Sequence, residues 1–209
     1  MLICPARVPE LLEMKGTSMS VTSEFAASPQ VWIMTHRFVT PAASYVGAPG
    51  ALPTGDGRFR FEDAGAGGGG NLLRVAGLLS FDYFNAFYLG AAPNQDNRIG
   101  LSNTNTLFLT ADLSGCQFLA YGPDRNNLTV EHNNYFAVGG ATYINRYNLV
   151  RGANHNVFIA LRPSTVVTQH ADEYYIIEGA NIVGVKKPDG WHFYARTRTD
   201  RAFGPTREL

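Results

Sequence analysis

The chain has 209 residues with 17 basic and 17 acidic side chains, so its formal net charge is zero. A neutral chain has no overall field that would draw it to nucleic acid or to an anionic membrane, and we expect neither as a partner. A hydrophobic fraction of 45%, with 13 Phe and 10 Tyr, argues against intrinsic disorder. This composition is sufficient for one sizeable core, and we predict a monomer whose partner is another protein.

Residues 1–24 combine Pro, Ser, Thr and charged side chains without sustained periodicity, and we predict a flexible extension there. A single folded domain is expected over residues 25–209. Pro5, Arg7 and Glu10 interrupt the stretch where a signal peptide would need an unbroken apolar core. We therefore expect a protein made in the cytoplasm without an ordinary export signal, which would be secreted or delivered into a target cell by dedicated machinery.

Short apolar runs separated by turn residues follow, and together with 22 Gly and 11 Pro they predict a sheet-rich fold. Residues 143–150 are predicted as a short helix or loop, and residues 83–88 and 116–121 as strand or helix. Pro188-Asp189-Gly190 supplies tight-turn residues between two alternating runs and predicts a hairpin. The other predicted strands cover residues 31–39, 58–62, 72–79, 106–109, 128–132, 157–161, 174–177, 180–187 and 191–197.

Two patterns that could suggest a metal or a cofactor are incomplete. The run Gly65 to Gly70 has five glycines in six positions, but no Gly-Lys-Ser/Thr follows, so a surface loop is favoured over a nucleotide site. Four histidines are widely separated and have no Cys or carboxylate at metal-ligand spacing; they are His36, His155, His170 and His192. We expect no metal and no cofactor.

The stretch from residue 107 to 132 carries the most informative chemistry. Cys116 follows a Ser-Gly turn, and His132 lies on the return strand of a predicted hairpin, so a thiol and an imidazole would meet at one end of that hairpin. A thiol attacks only as the thiolate, and an adjacent imidazole promotes its formation. The turn at Ser114 and Gly115 can direct backbone amides at an oxyanion. A third group must orient the imidazole, and Thr110 is the candidate.

The local sequence also resembles a known family. Leu107-Phe108-Leu109-Thr110, followed after two residues by Leu113-Ser114-Gly115-Cys116 and later by His132, resembles the active-site segment of the glutamine deamidase toxins. That family includes the catalytic domain of cytotoxic necrotizing factor and Burkholderia lethal factor. The resemblance is confined to residues 107–132. It implies an α/β fold, a β-rich sandwich of mixed and antiparallel sheets flanked by a few helices in a single domain.

The same resemblance implies an activity and roles for six residues. Cys116 would be the nucleophile, His132 the base and Thr110 the residue that completes the site. Leu113, Ser114 and Gly115 would form the turn that contacts substrate and oxyanion. The substrate would be a glutamine of a protein in a host or competitor cell, converted to glutamate through a Cys thioester. The resemblance does not identify the target protein.

Two alternatives stay open on the residues alone. The same Cys/His pair would serve a transglutaminase or a cysteine protease, since all three reactions pass through an acyl-enzyme. The chain could instead be a non-catalytic β-rich binding protein, in which Cys116 is a buried, unreactive thiol.

Overall fold

The computed structural model of the chain describes residues 19–36, 38–40, 52–63, 71–92, 94–134, 140–165, 169–176, 179–199 and 202–209. Residues 1–18 of the predicted extension and the glycine-rich run at 65–70 lie outside the described residues. The predicted boundary at residue 24 falls inside the first helix, Val21–Ala27.

The described chain forms three helices and thirteen strands, which confirms the predicted β-rich α/β sandwich in a single domain. The helices are α1 (Val21–Ala27), α2 (Pro29–Thr35) and α3 (Gly140–Arg151). The strands are β1 (Phe38–Val39), β2 (Gly55–Asp63), β3 (Asn71–Val75), β4 (Phe84–Leu89), β5 (Gln95–Leu101), β6 (Leu107–Thr110), β7 (Gln117–Asp124), β8 (Asn127–Asn134), β9 (Val157–Pro163), β10 (Tyr174–Ile176), β11 (Gly179–Lys187), β12 (Gly190–Thr199) and β13 (Ala202–Glu208). None of the described helices is long and apolar enough to cross a membrane.

Two mixed sheets pack face to face. The large sheet has the order β1-β3-β2-β4-β6-β11-β12-β13, and the small sheet has the order β10-β9-β7-β8-β5. Their inner faces meet in one apolar core, where the ring centroids of Phe108 and Phe118 are 5.9 Å apart. Helices α1 and α2 cover the outer face of the large sheet, and α3 covers that of the small sheet. The layers therefore run helix, sheet, sheet, helix.

Alternation of side chains along each strand builds these layers. In β7, Phe118 and Ala120 enter the core between the sheets, whereas Leu119 packs on the side of α3. In β6, Phe108 faces the same inner core, and Leu109 faces α1 and α2. This alternation decides which residues of the candidate site share a face.

The predicted strand over residues 31–39 is wrong except for the two residues of β1, because residues 29–35 form α2. Pro29 is at the start of this helix, where its missing N–H breaks no helical hydrogen bond. Trp32 is buried and stacks on Phe61 with ring centroids 4.7 Å apart. Packing against the large sheet thus outweighs the β propensity of this β-branched and aromatic run.

The predicted hairpins are confirmed. Lys187 pairs with Gly190 across the turn of β11 and β12, and β7 pairs with β8. At Gly190 φ is +118°, and a Cβ there would lie 2.8 Å from backbone atoms of Arg125, so the turn requires glycine. The two segments predicted as strand or helix are the strands β4 and β7, and residues 143–150 lie within α3.

Candidate active site

The segment between β6 and β7 carries the chain from the large sheet to the small one. Thr110 ends β6, and the Leu113 amide still donates to the Ala180 carbonyl of the large sheet (2.9 Å). At Gly115 φ is +77°, a left-handed conformation that glycine adopts without strain. The chain turns there, and Cys116 immediately precedes β7. The crossover thus places Thr110 on one sheet and Cys116 on the other.

Cys116 and His132 lie on the same face of the small sheet. In the antiparallel register of β7 and β8, Phe118 pairs directly with His132, and directly paired residues point to the same side. Phe118 and Cys116 both belong to the core between the sheets, so His132 faces that core too. His132 is therefore the diagonal neighbour of Cys116, and such neighbours have Cα atoms about 7–8 Å apart.

The imidazole of His132 is fully buried, and neither ring nitrogen has a hydrogen-bond partner among the described residues. Burial lowers the pKa of His132 from 6.5 to about 4, because the apolar surroundings disfavour the imidazolium. The ring is neutral at pH 7 and keeps one N–H and one lone pair available. Neither the Cys116 thiol nor the Thr110 hydroxyl is hydrogen-bonded to it in this structure. Buried polar groups without partners are rare in native proteins.

The thiol of Cys116 is also buried, with 4% of the residue exposed. Its Sγ donates to the Ser114 carbonyl at 3.8 Å. Burial raises the pKa of Cys116 to about 12, and the Asp112 carboxylate adds to the rise by repelling a thiolate. Thiol and imidazole are therefore both uncharged at pH 7.

The turn residues of the predicted site differ in what they offer. Leu113 is buried in the core, and its amide is committed to the large sheet. Ser114 is exposed and Gly115 is half-buried. An oxyanion hole at this turn would therefore rely on the amides of Ser114, Gly115 and Cys116 rather than on that of Leu113.

Thr110 is buried in the large sheet. It lies two residues after Phe108 on β6, so its side chain is on the same, inner face of the sheet. Its Oγ1 accepts a hydrogen bond from the Ile182 amide at 3.1 Å. The hydroxyl retains its own proton and a second lone pair for another partner. Thr110 thus lies on the face of the large sheet that packs against the small sheet, and the hydrogen bond from Ile182 holds it there.

Asn97 also lies on this face, although no sequence motif pointed to it. It pairs directly with His132 in the register of β5 and β8. Its Nδ2 donates to the Gly90 carbonyl at 3.1 Å. Asn97 and His132 are far apart in the chain and share no motif, so only the strand register reveals the pairing.

The groups at this end of the inner core are a thiol, an imidazole, a hydroxyl and a carboxamide, a set suited to proton transfer and nucleophilic attack. Over the described ranges, no cluster of three or more His, Cys, Asp or Glu side chains could hold a metal ion.

Comparison with known proteins identifies no family: no protein-family model and no curated protein matches the chain. Among solved structures, the chain is similar to the C-terminal domain of CNFy from Yersinia pseudotuberculosis, with a TM-score of 0.37 and 9% sequence identity. The match covers 60% of this chain and 62% of that domain. At that TM-score the similarity establishes neither a shared fold nor a shared activity.

Proposed function

We propose that the chain is a cysteine-dependent protein glutamine deamidase, toxin-like or effector-like, that acts on a protein of a host or competitor cell. The observation that carries the proposal is the buried His132 imidazole, which lacks a partner among the described residues and lies diagonal to Cys116 on one sheet face. The Leu-Ser-Gly-Cys turn and the position of Thr110, which resemble the glutamine deamidase toxins, support the choice of a carboxamide substrate.

The proposed reaction begins from an uncharged pair. The Cys116 sulfur attacks the side-chain carbonyl carbon of a glutamine while His132 takes the thiol proton. The tetrahedral oxyanion is stabilised by amides of the 114–116 turn. The C–N bond then breaks, ammonia leaves with the proton from His132, and a thioester remains. Water attacks the thioester, His132 takes the proton of that water and returns it to the sulfur, and the product is glutamate.

The burial of both groups sets a requirement on this mechanism. A thiolate beside an imidazolium would be a buried ion pair, which a low-dielectric core disfavours. Proton transfer must therefore accompany attack on the substrate rather than precede it. Thr110 would complete the proposed site from the large sheet.

Cys116→Ser is the direct test, with Cys4→Ser as the matched control that makes the same chemical change elsewhere in the chain. Candidate target proteins are incubated with each variant and measured by intact-mass and peptide mass spectrometry. We expect a gain of about 1 Da on a glutamine with the unaltered protein and with Cys4→Ser, but none with Cys116→Ser. A larger adduct would indicate a transglutaminase and peptide cleavage a protease. Equal deamidation by Cys116→Ser would overturn the proposal.

A second candidate, a non-catalytic β-rich binding protein, is favoured by the burial and raised pKa of the thiol. The rate of Cys116 alkylation against pH separates the two. An inert core thiol labels no faster than a small-molecule thiol at any pH and only as fast as the protein opens. A thiol served by His132 should label in the folded state, and His132→Leu should slow that labelling.

A further inference from the structure

Asn97 is the polar residue nearest to His132 in the strand register. The two are directly paired between β5 and β8, and directly paired side chains on one face have Cβ atoms about 4.5–5.5 Å apart. Asn97 alternates with Ile99 and Leu101, which pack against the inner core. Its side chain therefore belongs to the same face as the imidazole.

The carboxamide of Asn97 is fixed from the other sheet. Its Nδ2 donates to the carbonyl of Gly90, which follows β4 directly. The last residue of β4, Leu89, pairs with Thr110. The hydrogen bond thus ties β5 to the end of the large sheet where Thr110 lies. Because the bond uses an amide proton, Oδ1 is the acceptor that the side chain presents elsewhere.

A histidine that takes a proton from a thiol must turn its lone pair to the sulfur and hold its N–H by another group. Thr110 is the candidate that the sequence offers for this second role, but its Oγ1 accepts from the Ile182 amide on the large sheet, whereas Asn97 pairs directly with His132. We infer that Asn97 is a positioning residue, which accepts the N–H of His132 through Oδ1 and so holds the opposite nitrogen toward Cys116. Neither ring nitrogen of His132 is hydrogen-bonded in this structure, so the proposed bond requires a side-chain rotation. The catalytic consequence rests on the proposed deamidase function, but the pairing itself does not.

Nitrogen-15 NMR of the histidine side chains tests the pairing without any substrate. His132→Leu assigns the resonances, and Asp96→Asn is the matched control, since Asp96 is the adjacent residue and faces the outer side of the sheet. In the unaltered protein we expect one dominant neutral tautomer of His132. Asn97→Ala should mix the two tautomers, whereas Asp96→Asn should leave them unchanged. An unchanged tautomer in a folded Asn97→Ala variant would overturn the inference.

Asn97→Asp distinguishes an acceptor from a simple sheet anchor. Aspartate cannot donate to Gly90, but its carboxylate accepts from His132 and stabilises the imidazolium. We expect Asn97→Asp to retain the single tautomer and to raise the pKa of His132. If Asn97→Asp mixes the tautomers as Asn97→Ala does, the residue is only an anchor and the inference fails.

The enzymatic readout is the split between kcat and KM. Asn97→Ala should lower kcat about tenfold or more with little change in KM, because the affected step is proton transfer. If Cys116→Ser proves as active as the unaltered protein while Asn97→Ala still alters the tautomer, the deamidase proposal fails and the Asn97 pairing stands. If instead Cys116→Ser is inactive and Asn97→Ala leaves the tautomer unchanged, the Asn97 pairing fails and the deamidase proposal stands.

Discussion

Glu131 and His132 are neighbours in β8, both fully buried, and the structure treats them in opposite ways. Glu131 points to the outer face, where Arg146 of α3 donates through Nε at 2.8 Å and the Tyr121 hydroxyl donates at 3.2 Å. His132 points to the inner face and has no partner within the described residues. A buried charge without partners costs far more free energy than a neutral imidazole without them. Glu131 on the outer face is thus paired within the fold, whereas His132 on the inner face keeps a donor and an acceptor available for a reaction.

A second buried carboxylate shows that the pattern of the outer face is general. Glu173 is buried beneath α3, and its oxygens receive hydrogen bonds from four side chains: Tyr147, Arg151, Arg162 and Tyr175. Two of these donors belong to α3 and one to β9. Ion pairs therefore join α3 to the outer face of the small sheet. Substitutions of these outer-face groups can be made without changing the polar groups on the inner face.

The largest effect is expected from Arg146→Met, which leaves the Glu131 carboxylate buried without its cation. We expect the free energy of unfolding to fall by about 3–5 kcal/mol at pH 7, measured by urea denaturation. Arg98→Met is the control, because Arg98 pairs with Asp96 and is largely exposed. It should cost about 1 kcal/mol or less. If Arg146→Met also lowered the free energy of unfolding by only about 1 kcal/mol, Glu131 would not need its cation, and the contrast with His132 would fail.

His132→Leu should cost far less stability than Arg146→Met and abolish activity. Leucine fills a similar volume and removes a buried polar group, at the cost of at most one neutral hydrogen bond to Asn97, so the free energy of unfolding at pH 7 should change by about 1 kcal/mol or less. A loss above about 2 kcal/mol would show that His132 has a further structural partner.

The same variant should change the acid side of the stability curve. The pKa of His132 is about 4 in the folded protein and 6.5 when exposed, so the unfolded chain takes up a proton first as the pH falls. The contribution of His132 to the free energy of unfolding is intact above pH 6.5. It is lost between pH 6.5 and 4, by about 3 kcal/mol in all. His132→Leu should flatten this slope, whereas the half-buried His155→Leu control should retain it.

Sequence alone predicted features whose causes are local. The hairpin at Pro188-Asp189-Gly190 follows from turn chemistry, and β2 follows from the alternation of Arg58 to Glu62. The proximity of residues 116 and 132 within one hairpin was also local, since a single turn joins their strands. Non-local packing decided the rest. Helix α2 forms because Trp32 finds aromatic partners in the large sheet, and no local pattern announced them.

The inner face was predictable only in part for the same reason. Whether His132 faces the core depends on the register of β8 with β7, and a shift by one residue would exchange it with Glu131. The approach of Asn97 depends on β5 pairing with the far side of β8, which joins distant parts of the chain. The burial that raises the pKa of Cys116 comes from residues of both sheets. None of these long-range pairings has a signature in the local sequence.

The smallest expected effect is that of Asp112→Asn on the Cys116 thiol. The Asp112 carboxylate is the second cause of the raised pKa of Cys116, after burial, so its removal should lower that pKa and increase the thiolate fraction at every pH below it. A shift of about half a pKa unit corresponds to a roughly threefold faster alkylation at fixed pH. The pH profile of alkylation by iodoacetamide measures the change. Asp189→Asn is the charge-matched control, because Asp189 lies in the β11–β12 turn, at the other end of the sandwich. A faster rate in both variants would trace the effect to net charge, and no change in Asp112→Asn would leave burial as the sole cause of the protonated thiol.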